Sequence, residues 1–438
     1  MWLRPAACAV LAAALCLPAR AQSSPPATPQ TSAAPVRAST FSLDDALARI
    51  DASHPDLRLF GYRREALSAE LDRAGQRPAL TAGATLENAF GSGQLSGLSG
   101  AELSLTLASV FERGGKLDAR RALAQSRIDA LALERESRRL DLLADAARRY
   151  LAIAVAQRRI ELAQLDIAQR KRAVAAARQR LVAGASPESG LLTAQAALAR
   201  AELERSRGEQ SLLAARQHLA ALWGERDPGF AQVAGDPYAL PKIAEAGALA
   251  QLLERTPELA RFVDARRIGE ARLRLAQSQA TADLDWQVGV RRLQDGGDLA
   301  LLGGVSFALG ARGRAEPEIR GARAELAGLD SERDAQGLAL YSTLVEAHGR
   351  YRVAALEVAR LGQDVLPRLR RAEEASEYAY RNGAISYLEL ALLQTESAAA
   401  RQQRLDAARE AQLALIEIQR LTGEPFVVAA PTATGATP

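Results

Sequence analysis

Two hydrophobic periodicities alternate along this chain, and the alternation occurs twice. In residues 80–90, Leu80, Ala82, Ala84, Leu86 and Phe90 share one face, while Thr81, Gly83, Thr85 and Glu87 share the other. In residues 101–108, Leu103, Leu105 and Leu107 oppose Glu102, Ser104 and Thr106, after a glycine- and serine-rich stretch at 91–97. A period of two predicts strands, so a hairpin is expected over about 79–110. A second is expected over about 283–310. There Trp286, Val288 and Val290 oppose Gln287, Gly289 and Arg291. Past a turn at Asp295-Gly296-Gly297-Asp298, Leu299, Leu301, Val305, Phe307 and Leu309 oppose Ala300, Gly304, Ser306 and Ala308. Each strand has room for the ~9–11 residues of a tilted transmembrane strand, and an apolar face backed by a small or polar one suits a water-filled barrel. One such hairpin alone could equally pack on a soluble core. The long segment C-terminal to each hairpin argues otherwise.

Residues 117–183 contain neither Gly nor Pro. At ~1.5 Å per residue, such a helix would be about 100 Å long. It stops at Gly184-Ala185-Ser186-Pro187 and restarts through Leu191 to Leu222. The second copy is looser, with Gly328, Gly337, Gly349 and Gly362, a kink expected at Pro367 and a turn over 382–386 before the return to Leu421. Ahead of the first hairpin, Ser42 is a candidate cap for a helix running to about Gly75, which Pro55 must kink or break. Ala-rich helices of this length do not fit a compact globule; they suit coiled coils or a helical tube.

The chain reads as a duplication. His54-Pro55-Asp56-Leu57 recurs as Thr256-Pro257-Glu258-Leu259, an offset of 202 (256 minus 54), and the same offset pairs Leu103–Leu107 with Val305–Leu309 and Ala122 with Ala324. Gly184-Ala185 answers Gly383-Ala384, and Leu222-Trp223-Gly224-Glu225 answers Leu421-Thr422-Gly423-Glu424, at an offset of 199 (383 minus 184). The expected organisation is a first repeat over 41–224, a linker over 225–245 with Pro228, Pro237 and Pro241, and a second repeat over 246–424. Two copies of one long unit point to pseudo-symmetric assembly. Four short strands cannot close a barrel within one chain, so they are expected to close with those of other chains.

Arg4, the apolar run 6–17 and Ala19-Arg20-Ala21 read as a secretory signal over 1–21, followed by a Ser-, Pro- and Ala-rich lead-in over 22–40 that is expected to be disordered, as is the tail 425–438. Leu15 precedes Cys16 where a lipoprotein signal needs a small residue, so no lipid anchor is expected. Both cysteines, Cys8 and Cys16, would leave with the signal, and the mature chain would need no disulfide. Removing Arg4 and Arg20 takes the 56 basic residues to 54 against 52 acids, a net of +2. That balance, with 4% aromatics, argues against nucleic acid as a partner. His54, His218 and His348 are scattered, with no second ligand one helical turn away, and no catalytic constellation or phosphate-binding loop is apparent. No enzyme activity, cofactor or bound metal is expected. The initiator is the only Met, so no methionine ladder for Cu(I) is expected, and any metal cargo would cross in water.

The doubled helix–hairpin–helix unit, Phe111-Glu112-Arg113-Gly114-Gly115-Lys116, Leu366-Pro367 and Tyr380-Arg381-Asn382-Gly383 together resemble the TolC-like outer membrane factor family over about residues 41–424. The Arg-Gly-Gly-Lys element is most similar to the CzcC-like branch serving heavy-metal efflux; the second copy departs from it, reading Gly310-Ala311-Arg312-Gly313-Arg314.

The resemblance implies a mainly α fold with a membrane β-barrel portion: long helical hairpins in two copies plus four strands per protomer, closing as a homotrimer with a 12-stranded barrel and a helical tunnel. It implies a passive exit duct in a Gram-negative outer membrane, extending into the periplasm and gated at its helical tip by an adaptor protein. An inner-membrane pump, of the RND type for metal ions, would supply the energy. The linker would form a belt around the tube. Adaptor contacts would fall on Gly184, Ala185 and Ser186 and on Gly383, Ala384, Ile385 and Ser386. A pore constriction would fall on Glu389, where mutual repulsion of three copies would raise the carboxylate pKa; the family's other acidic position is occupied by Leu392. Glu373, Glu374 and Glu377, on the other side of the turn, are expected at the surface. Alternatives are drug efflux, type I protein secretion, a periplasmic adaptor or a coiled-coil scaffold.

Overall fold

The computed structural model describes residues 40–427. The expected signal, the lead-in to Ser39 and the tail beyond Val427 lie outside the described residues.

Local rules account for the first elements. Helix α1, Leu43–Ser53, opens with a capping box: the Ser42 hydroxyl accepts from Asp45 N at 3.1 Å and the Asp45 carboxylate accepts from Ser42 N at 3.0 Å. The chain breaks at extended His54, and α2, Pro55–Ala74, restarts with proline in its first turn, where no amide donor is needed.

Four strands come next in two hairpins: β1, Thr81–Glu87, and β2, Glu102–Phe111, then β3, Leu284–Leu293, and β4, Leu299–Phe307. They form one antiparallel sheet in the order β1-β2-β3-β4. The register puts Ser104 opposite Thr85 and Arg291, and Leu105 opposite Ala84 and Val290. One face therefore carries Leu86, Leu103, Leu105, Leu107, Phe111, Trp286, Val288, Val290, Leu299, Leu301, Val305 and Phe307; Ser109 and Arg292 interrupt it near its two ends. Nothing among the described residues covers it: Leu301 is 88% exposed and Leu105 50%. The opposite face carries Thr81, Thr85, Glu87, Glu102, Ser104, Thr106, Gln287, Arg291 and Ser306. Strands β1 and β4 each keep an unpaired edge.

The hairpins feed long helices. The first is α3, Lys116–Val182, of 67 residues, which packs against α4, Glu188–Ala220. Gly208 permits close approach, because a Cβ there would meet the Ile160 side chain at 2.9 Å. The second copy runs through α5, Ala246–Leu253, and α6, Pro257–Ser278, ahead of its hairpin. After it come α7, Ala311–Arg360, a π-turn at Leu361–Val365, α8, Leu366–Arg381, and α9, Tyr387–Thr422. Where a kink is expected at Pro367, the structure has a π-turn just before the proline: proline cannot bond the carbonyl four residues back, and the wider turn absorbs the mismatch.

The largest core lies where α1, α3, α4 and α9 meet the segment between the halves, with Ile50, Tyr150, Leu151, Ile153, Leu219 and Leu405 almost fully buried. A matching core joins α5, α6, α7 and α9 around Leu249, Leu344, Tyr351 and Ile418. Phe41 pairs as an isolated bridge with Val233, tying the entry of the first half to that segment.

The match between copies is not gap-free. Helices α2 and α6 start 202 positions apart (257 minus 55), but β2 and β4 end 196 apart (307 minus 111). The left-handed glycines that precede α3 and α7, Gly115 and Gly310, are 195 apart (310 minus 115). The connection between β3 and β4 is 9 residues shorter than that between β1 and β2 (5 against 14), which more than accounts for the difference, and the longer β3 gives part of it back. Leu103–Leu107 and Val305–Leu309 are therefore not equivalent positions. Alternating strands match themselves at any even slip, which makes the pairing read as continuous.

Candidate functional site: the polar sheet face, the strand–helix junction and the helical tip

The polar sheet face holds an ion-pair cluster at its loop end. Arg291 donates to Glu102 at 2.8 Å, to Glu87 at 3.3 Å and to the Ser104 hydroxyl at 3.0 Å. Asn88 donates to the other Glu102 oxygen at 3.0 Å. The sequence marks Arg291 only as a polar strand position. Its partners lie across two strand pairings and are found only from the register.

The Arg113-Gly114-Gly115-Lys116 element is the junction between β2 and α3. Gly114 has φ of +74°, and a Cβ there would lie 2.7 Å from the Thr281 side chain. Buried Lys116 donates to Asp283 at 2.7 Å, and the other Asp283 oxygen accepts from Arg113 N at 3.1 Å. The motif docks the first repeat's hairpin onto the start of the second. No sequence pattern points to Asp283 as its partner.

The tip consists of the two helical turns. Gly184 (φ +68°) follows α3 and Gly383 (φ +80°) follows α8. In both turns the residue after the glycine bonds back five positions: Ala185 N to Arg180 O at 2.8 Å, and Ala384 N to Ala379 O at 2.9 Å. Arg180 joins the turns. One terminal nitrogen donates to Tyr380 O at 2.9 Å and Ile385 O at 3.2 Å, the other to Ala185 O at 3.3 Å, and the guanidinium lies 4.9 Å from the centre of the Tyr380 ring. Under the turns, Ala173, Ala177, Ala194, Tyr380, Tyr387 and Leu390 form a small core. Arg180, which sequence reasoning misses, thus links Ala185 of the first turn to Tyr380 and Ile385 around the second.

Ser186 and Ser386 play different roles. Ser386 caps α9, whereas α4 is preceded by Pro187 with no side-chain cap. Glu389 is exposed on the first turn of α9 and completes the capping box, its carboxylate accepting from Ser386 N at 2.7 Å and Ser386 Oγ at 2.9 Å. Those two donors hold the carboxyl below the usual glutamate range, opposite to the direction that repulsion among copies would give.

Glu373 corrects an expectation. It is buried on α8, not at the surface: one carboxylate oxygen accepts from Arg401 at 2.9 Å and Gln169 at 3.2 Å. Glu377 pairs with Arg172 at 3.2 Å. These contacts fasten α8 to α3 and α9. Of the histidines, His54 accepts from Asp56 N at 3.1 Å, and the His348 ring lies 3.2 Å from Ala244 O. Among the described residues no group of His, Cys, Asp or Glu could hold a metal ion, and no helix is long and apolar enough to cross a membrane.

Residues 46–225 match the model of the family described as "Outer membrane efflux protein". The chain is 28% identical over 315 residues to the cobalt-zinc-cadmium resistance protein CzcC of Cupriavidus metallidurans, covering 72% of this chain and 75% of that protein. It superposes on a membrane protein from Pseudomonas aeruginosa with a TM-score of 0.71 at 19% identity, covering 90% of this chain and 92% of that one. The fold is also similar to that of CusC, from structures concerned with transmembrane channel formation, with a TM-score of 0.71 at 16% identity over 87% of this chain and 91% of that one. Over residues 46–225 the chain thus matches the outer membrane efflux protein family, and the likeness of fold to these solved structures extends through the second copy as well.

Proposed function

We propose that the protein is the outer-membrane exit duct of a tripartite efflux system, conducting substrates passively from periplasm to exterior. The observation that carries this is the sheet: one face is apolar and uncovered, the other polar, and both edges are open. Such a sheet is stable in a bilayer only when it closes on itself, because lipid offers no partner to an unpaired strand edge. Three copies would give twelve strands, with the apolar face to lipid and the polar face to water. The halves 41–224 and 246–424 would be the two staves that each protomer adds to the tube, with 225–245 as the belt between them.

The protein's work is transport rather than chemistry, with an inner-membrane pump as the energy source. Adaptor contact at Gly184, Ala185, Ser186, Gly383, Ala384, Ile385 and Ser386 would select the open arrangement of the tip, and Glu389 would stand near the narrowest point. The likeness to CzcC favours divalent metal ions as cargo and an RND-type pump as partner.

The test is to purify the protein in detergent, cross-link it and record from planar bilayers. A cross-linked trimer with discrete conductance steps is expected. Protein that stays monodisperse without detergent and opens no pore would sink the duct and promote a periplasmic scaffold. Cargo is tested separately, by zinc, cobalt and cadmium efflux in cells lacking the protein. Retention of metal that the restored gene relieves supports the metal reading, and unchanged metal content with retained drug would replace it with drug efflux.

A further inference from the structure

Ionisable side chains are distributed unevenly on the polar face. Within the strands, that face carries Glu87, Glu102 and Arg291 at the loop end and Asp285 at the helix end. Between them it carries only uncharged residues, among them Thr81, Thr106, Gln287 and Gly289. Arg291 lies six positions after Asp285 (291 minus 285), about 20 Å of strand.

The loop-end cluster is unbalanced. Two carboxylates share one guanidinium, leaving one negative charge per protomer. The partners also differ. Both Glu102 oxygens are engaged, one by Arg291 and one by Asn88, and its side chain is 20% exposed. Glu87 has only the longer Arg291 contact, at 3.3 Å, and its side chain is 49% exposed. The uncompensated charge therefore resides on Glu87.

We propose that Glu87, Glu102 and Arg291 form a selectivity girdle at the outer mouth of the duct, in which Glu87 favours small hydrated cations over anions and Arg291 sets how strongly. This rests on the duct reading above, because closure of the sheet with its apolar face outward puts the polar face around the passage. Three residual charges on a low-dielectric wall then raise the local cation concentration. Arg291 acts in two ways: it offsets one charge and pins Glu102 against the strands.

The test is the reversal potential in a potassium chloride gradient, at low ionic strength, for the wild type, Glu87→Gln and Arg291→Gln. Glu87→Gln leaves the Arg291–Glu102 pair in place and is expected to lower the potassium-to-chloride permeability ratio about twofold or more. Arg291→Gln is expected to raise it by a similar factor, and both effects should shrink in ~1 M salt, where screening is strong. A merely structural role would not move the two variants in opposite directions. Should Arg291→Gln fail to form trimers, Arg291→Lys keeps the charge without the fork, and a ratio near wild type is then expected. A wild-type pore whose ratio is unchanged in Glu87→Gln overturns the girdle and leaves the duct standing. A wild-type protein that opens no pore overturns both.

Discussion

Tyr150 and Tyr351, 201 positions apart (351 minus 150), both send a phenolic hydroxyl from a long helix onto the segment that joins the two halves. Tyr150 shares its proton between Ala234 O at 2.6 Å and Phe41 O at 2.8 Å, and Tyr351 donates to Pro241 O. The joining segment has no helix or strand of its own beyond one bridge, so its backbone carbonyls need partners from the helices beneath.

Tyr150→Phe removes the donor to Ala234 O, while Phe41 O keeps its bond from Ala234 N at 3.0 Å, at a cost of about 1–3 kcal/mol. The loss should be local. Amide exchange in residues 225–240 is expected to accelerate about tenfold or more while α3 and α4 keep their protection. Unchanged exchange in that segment would show that the hydroxyl is not what holds it.

The same pair makes stability alkali-sensitive. Burial raises the Tyr150 phenol, and raises Tyr351 to about 12. A group whose pKa is raised on folding contributes stability that is fully present below its unfolded value, near ~10, and is lost as pH rises through the folded value. The melting temperature of the wild type should therefore fall more steeply between pH ~10 and ~12 than that of the Tyr150→Phe/Tyr351→Phe variant. Parallel curves for the two would remove the tyrosines from the account.

Arg180→Met should loosen the tip. It removes the donors that hold the carbonyls of Ala185, Tyr380 and Ile385, and the contact with the Tyr380 ring. Protease cutting at both turns is expected to speed up together, and Arg180→Lys should rescue only in part, because an ammonium cannot span the same carbonyls. Accelerated cutting at one turn alone would mean that Arg180 does not join them.

At Glu389, cap and charge can be separated. Glutamine at the third helical position still completes a capping box, whereas alanine loses the charge and the reciprocal side-chain bond to Ser386, keeping only the bond from its own backbone N to the Ser386 hydroxyl. Glu389→Gln is expected to leave the start of α9 protected and still lower cation preference. A variant with wild-type selectivity would reduce Glu389 to its capping role.

Gly114→Ala should destabilise by about 2 kcal/mol or more, because it combines a left-handed backbone with a Cβ 2.7 Å from the Thr281 side chain. Gly115→Ala meets nothing within 4 Å and bears the backbone cost alone, so it should lose less. Equal losses in heat stability would show that contact with Thr281 is unimportant.

What the sequence determined by itself was local. Alternation identified all four strands and which side chains within them share a face, because neighbouring residues on a strand must point to opposite sides, but Leu80, Phe90 and Leu309, which it also placed on the apolar faces, lie beyond the ends of β1 and β4. The absence of Gly and Pro over 117–182 allowed a 67-residue helix, and a left-handed glycine ends α3 and α8 alike. The tertiary structure decided which distant residues meet. Lys116 finds Asp283, Arg180 finds Ile385 and Arg291 finds Glu87, at separations of 167, 205 and 204 residues. No periodicity carries that information, since a charged residue on a helix or strand reads the same whether it faces water or a partner. Glu373 shows this most plainly: its neighbours in sequence suggest a solvated face, and only the packing of α3 and α9 over α8 buries it against Arg401. The equivalence of the two copies is obscured for a related reason. An alternating strand matches itself at every even shift, and only hydrogen-bond register selects one of those matches.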